Sequence, residues 1–136
     1  MPRRRTPSRR ARTRGGPRPA GTRELTMPTI DAQKLGKDML AAALGAFKEK
    51  APAVKTYAES EFKKLAETLV TIEKARLAGE INEQQARLLL DMQKNSTRAV
   101  MLTIEGLGIL TVEAAINAAL AVVRDSVNAA LGFALV

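Results

Sequence analysis

Ala78-Gly79-Glu80-Ile81-Asn82-Glu83-Gln84-Gln85-Ala86 is the stretch that decides the fold. Gly79 suits the left-handed position just past a helix end, which glycine reaches without a Cβ penalty. Asn82 suits an N-cap, Gln85 stands three residues on as in a capping box, and Ile81 with Ala86 can form the hydrophobic staple. One helix therefore stops and another starts within about five residues, and so short a link favours antiparallel packing. The sequence predicts a helical hairpin from about residue 52 to about residue 103.

Upstream of the turn, Val54, Ala58, Phe62, Leu65, Leu69 and Ile72 recur at three- and four-residue spacings, close to a coiled-coil heptad seam. Lys55, Glu59, Glu61, Lys63, Lys64, Glu67, Glu73 and Lys74 fall mostly on the other faces and read as a solvated surface. Pro52 reads as the first residue of this helix, and Ala51 before it is expected to leave helical dihedrals. A first helix is expected from Thr29 as N-cap, Asp31 at its positive end, and the stripe Leu35, Met39, Leu40, Ala43, Leu44 and Phe47.

Downstream, Leu88, Leu89 and Leu90 cover more than one face, so the third helix is expected to touch neighbours on two sides. From Ala99 to Val136 only Glu105, Glu113, Arg124 and Asp125 are charged. An eleven-residue echo, Ile116-Asn117-Ala118-Ala119-Leu120 against Val127-Asn128-Ala129-Ala130-Leu131, keeps equivalent residues on one helix face. The chain is expected to run through Gly106-Leu107-Gly108 as one long Ala-rich helix of about 80 Å. The alternative is a break there, with Thr111 capping a fourth helix. The fold class is thus all-α, with three helices, or four if the glycines break the last. The C-terminal helix is apolar over most of its circumference, more than so small a chain is expected to cover, which predicts oligomeric packing. The interface residues on this reading are Leu102, Leu107, Ile109, Ile116, Leu120, Val123, Val127 and Leu131.

The residue inventory removes most chemistry. The 136 residues contain no Cys and no His, excluding thiolate and imidazole catalysis and nearly all zinc or copper sites. No phosphate loop, nucleophile elbow or calcium loop is present, and the four aromatics leave no platform for stacking bases. Glu105 and Glu113 stand in apolar sequence, where raised pKa values are plausible. They lie about 12 Å apart along a helix, too far to act together. Glu113 more simply caps its helix or pairs with Arg124. No cofactor, metal or small-molecule substrate is expected, and the chain reads as a non-enzymatic structural subunit whose chief partner is itself. An amphipathic helix on a membrane or other apolar surface is the second reading. The uncharged runs 114–123 and 126–136 are too short to span a bilayer, and with no apolar leader the expected place is the cytoplasm or an assembled particle.

The net charge of +8 is confined to one end. Residues 1–26 carry nine Arg and one Glu, while in residues 27–136 thirteen basic and thirteen acidic groups cancel. The first segment has no Lys, whereas nine of the thirteen later basic residues are Lys. It also holds four Pro and three Gly, and up to Arg23 no Leu, Ile, Val or aromatic residue, so it cannot fold alone. Two origins fit: a disordered arm whose Arg3, Arg4, Arg5, Arg9, Arg10, Arg12 and Arg14 neutralise phosphates, or translation upstream of a true start at Met27. For the second, Arg23-Glu24 can be encoded by a purine-rich ribosome-binding sequence. Residues 27–136 form the helical assembly domain either way. A chain carrying the arm should bind nucleic acid without sequence preference and with steep salt dependence, and one beginning at Met27 should not bind. Filter binding across a salt series, with the intact mass of the native protein, checks this.

Overall fold

The computed structural model describes residues 30–136, and the readings of residues 1–26 and of Thr29 as a cap lie outside them. The described chain is all-helical: α1 (Ala32–Phe47), a 3-10 turn (Lys48–Lys50), α2 (Ala51–Leu77), α3 (Glu83–Met101) and α4 (Ile109–Leu131). Asp31 caps α1, its side chain accepting the Gln33 N–H at 2.9 Å.

α1 is the centre of the packing. Its buried residues Leu35, Met39, Ala43 and Phe47 repeat every four positions and form a ridge along one side. This helix packs on α2 and on α4 alike, whereas α3 packs mainly on α2 and touches α4 lightly. The apolar stripe Phe62, Leu65, Leu69 and Ile72 of α2 and the stripe Val112, Ile116, Val123 and Val127 of α4 are buried in the same core. α1 covers one face of the C-terminal helix, while Ile109, Leu110 and Val122 of that helix stay exposed.

The junction between α1 and α2 also differs from the sequence reading. Ala51 is helical, with φ −53° and ψ −45°, and Pro52 stands second in α2. The break falls on Lys48, whose φ of +57° is the only positive value among the described non-glycine residues. Such a conformation costs about 1–3 kcal/mol. It lets α2 start immediately and pack on α1, with Phe47 buried beside it. At the far end of this pair the Ile30 N–H donates to Glu73 Oε1 at 3.2 Å, both residues being buried.

The turn at residues 78–82 has the expected anatomy. Gly79 sits at φ +73°, its N–H donating to the Arg76 carbonyl, while the Glu80 N–H donates to that of Ala75. These two bonds satisfy carbonyls that the helix end leaves open. Asn82 and Gln85 complete the capping box reciprocally, at 2.8 and 2.9 Å.

The single long C-terminal helix is the second correction. α3 ends at Met101, and Thr103 Oγ1 donates to the Val100 carbonyl at 2.6 Å. Gly106 takes φ +89°, a value no continuing helix contains, and a Cβ there would stand 3.0 Å from Lys50 Nζ. Leu107 plugs the corner into the core. α4 then begins with Gly108 at the N-cap position, so Thr111 lies inside the helix and is not its cap. Four helices result because the glycines let the chain turn back onto α1.

Met39 and Leu110 should mark the two extremes of this packing. Met39→Ala, at a fully buried site, should cost about 2–5 kcal/mol through lost burial and a cavity. Leu110→Ala, at a residue 82% exposed, should change stability by less than about 0.5 kcal/mol. Urea denaturation followed by circular dichroism measures both.

Candidate interaction surface

Two faces of α3 carry apolar residues. The inner face, Ala86, Leu90, Thr97 and Met101, is buried. Thr97 is held there by Gln93 Nε2 at 3.2 Å, and Gln93 Oε1 accepts from Thr68 Oγ1 of α2 at 3.3 Å. The opposite face presents Leu88, Met92, Asn95, Ala99 and Leu102, all exposed. Leu88 is 59% and Met92 58% exposed, values ordinary for Lys or Glu but not for two large apolar side chains one turn apart. Leu89 and Met92 also border a groove of about 390 Å³ against α2, lined further by Thr68, Thr71, Ile72, Gln93 and Ser96. α3 meets α2 and, lightly, α4, and no other part of the described chain covers this outer face.

A second exposed apolar group sits at the α3–α4 corner, where Leu102, Ile109 and Leu110 project beside the loop that Lys50 approaches. Of the eight residues expected at an oligomer interface, Leu102 and Ile109 are exposed. Leu107, Ile116, Leu120, Val123, Val127 and Leu131 are buried in the chain's own core. The eleven-residue echo explains their equivalence, since Ile116 with Val127 and Leu120 with Leu131 point into the same interior.

Arg98 on α3 and Glu113 on α4 form a two-pronged ion pair, Nε to Oε2 and Nη2 to Oε1, and Arg98 Nη1 also donates to Asn95 Oδ1. Glu113 is thus paired with Arg98 and not with Arg124. The guanidinium hydrogen bond holds its carboxyl below the usual value of 4.5 despite opposing desolvation, which reverses the raised pKa expected from its apolar sequence. Glu105 is exposed. Among the described residues no cluster of three acidic side chains is placed to hold a metal, and no helix is long and apolar enough to cross a membrane.

A fastening at the opposite end escaped the sequence reading. α4 stops at Leu131, Gly132 turns the chain at φ +80°, and the Asn128 side chain clasps the last two residues. Its Oδ1 accepts the N–H groups of Leu135 and Val136 at 2.9 and 3.0 Å, and its Nδ2 donates to the Val136 carbonyl at 3.0 Å. The Phe133 ring lies 5.2 Å from the Arg76 guanidinium and 5.4 Å from that of Arg87. Arg87 also donates to the Ala134 carbonyl at 3.3 Å. No periodicity in the sequence signals this arrangement, because it joins residues from three elements.

No protein-family model, curated relative or solved structure matches this chain.

The Arg98–Glu113 pair predicts a pH signature. A carboxyl depressed in the folded state adds stability at pH values above its unfolded pKa, and that contribution is lost as pH falls through the depressed folded value. Acid titration of the unfolding midpoint from pH 6 downward should show a decline below about pH 4.5. Glu113→Gln should make that decline shallower while costing at most about 1 kcal/mol at neutral pH, the range for a partly exposed pair.

Proposed function

We propose that the chain is a non-enzymatic structural subunit, an antiparallel hairpin of α2 and α3 completed by α1 and α4, which associates with further copies through helix faces its own core leaves uncovered. The observation that carries this reading is the outer face of α3. Its exposed central positions Leu88, Met92, Asn95, Ala99 and Leu102 include no charge, with Asp91 at one edge, whereas the outer face of α2 carries Lys63, Glu67 and Lys74. A helix facing only water is usually charged there, and an uncharged apolar strip gains free energy when a partner removes it from solvent.

The interface proposed from the sequence moves accordingly. Leu120→Asp or Leu131→Asp now probes folding, because both residues are core members. Leu88 and Met92 are the residues whose loss should dissolve the assembly while sparing the fold.

A second reading, contact with a lipid or other apolar surface, is favoured by the exposed corner of Leu102, Ile109 and Leu110 near Lys50. Apolar side chains at a tip beside a lysine are suited to the boundary of an anionic bilayer. Association remains the primary reading, because the α3 face is longer and carries no flanking excess of cations. Nucleic acid enters only through the arm of residues 1–26.

Multi-angle light scattering on the full chain should show a mass above the monomer at micromolar concentration. Leu88→Glu with Met92→Glu should return it to a monomer with an unchanged helical spectrum. A wild-type monomer up to about 100 µM, well above the Kd of a stable specific complex, would remove the association reading. Flotation with anionic vesicles would then test the other.

A further inference from the structure

The outer face of α3 has an internal symmetry that names its partner's orientation. We propose that α3 pairs antiparallel with α3 of a second copy about a two-fold axis, placing Leu88 against Ala99 of the other chain and Met92 against Asn95. This inference rests on the association reading and specifies its geometry.

The spacing Leu88, Met92, Asn95, Ala99 alternates four and three residues, the pattern of a coiled-coil seam. All four residues lie on the exposed side of α3. In the antiparallel register each layer sets a larger side chain against a smaller one, Leu88 over Ala99 and Met92 over Asn95, which suits close interdigitation. A two-fold axis repeats each layer, as an isologous interface requires.

Charge selects this register among its neighbours. Asp91 and Arg98 flank the seam on the same edge, seven residues apart. When Leu88 meets Ala99, Asp91 of each copy stands opposite Arg98 of the other, giving two symmetric attractive pairs. A shift of one heptad in one direction sets Arg98 against Arg98, and in the other it sets Asp91 against Asp91. A parallel pair sets Asp91 against Ser96 and gains nothing. Complementary flanks of this kind fix orientation and register more than they add affinity. Arg98 keeps a quarter of its side-chain surface exposed while bound to Glu113, so it can serve both partners. The seam covers only about 20 Å of helix, so the pairing is reversible and depends on concentration.

The absence of cysteine from the sequence makes the geometry directly testable. Full-length Leu88→Cys and Ala99→Cys chains, each checked for an unchanged circular dichroism spectrum and melting curve, are oxidised with copper phenanthroline, separately and as an equimolar mixture. In the proposed pair the two different cysteines meet, whereas like cysteines lie about 16 Å apart along the axis, beyond disulfide reach. The mixture should yield covalent dimer at least about tenfold faster than either variant alone, and Asp91→Arg should weaken association of the cysteine-free chain roughly tenfold by making both flanks repulsive. Fast cross-linking of Leu88→Cys by itself, or none in the mixture, would overturn the antiparallel register. Sedimentation of the unmodified chain at the same concentration separates the two failures. Association without the mixed cross-link removes this geometry alone, and no association removes the association reading with it.

Discussion

Everything in this molecule depends on α1 lying between α2 and α4. Its ridge of Leu35, Met39, Ala43 and Phe47 is buried, and the apolar stripes of both neighbours depend on that ridge for cover. Burying such side chains contributes about 1.5–3 kcal/mol for each large one. α1 is otherwise a poor helix to build upon, carrying Gly36 and Gly45 and ending on the strained Lys48. Tertiary burial offsets those local costs, as it commonly does for helices of this length.

Placing α1 there has a geometric consequence for α3. With one side of α2 occupied by α1, the third helix is left against another side of α2 and meets α4 only lightly. Polar fastenings act at the ends of elements, where apolar packing thins out: Ile30 on Glu73, Arg98 on Glu113, and the chain end held by Asn128 and two arginines. Each gives a polar group that packing withdraws wholly or partly from water a partner within the chain. The glycine corner is what permits the Arg98–Glu113 pair, because a straight helix through residues 102–108 would carry Glu113 away from Arg98.

The proposed association follows from the same asymmetry. α4, the most apolar helix, has its stripe satisfied inside the chain. α3, more polar in average composition, keeps its outer stripe in water. Surface apolarity therefore follows the leftover geometry of packing, not the hydrophobicity of a segment taken alone. An interface built on Leu88 and Met92 can be lost without disturbing the core, whereas one built on Leu120 and Leu131 cannot, since those residues are already buried in the chain's own core.

Local chemistry was legible in the sequence wherever neighbouring residues decide it. The helix stop at Gly79, the capping box of Asn82 with Gln85 and the heptad stripe of α2 follow from backbone dihedrals and side-chain reach over a few residues, so no distant partner could alter them. The double-sided apolarity of Leu88, Leu89 and Leu90 was legible as well. Which side would be covered was not, because that depends on where the other helices lie. The break at Gly106 was ambiguous for the same reason: a glycine permits a turn, and only the burial gained by folding α4 onto α1 makes the turn favourable. The inward orientation of Ile116, Leu120, Val127 and Leu131, the pairing of Glu113 with Arg98, and the clasp of Asn128 were decided by tertiary structure alone. Each depends on a contact between segments far apart in the chain, and periodicity specifies a face without specifying what the face meets.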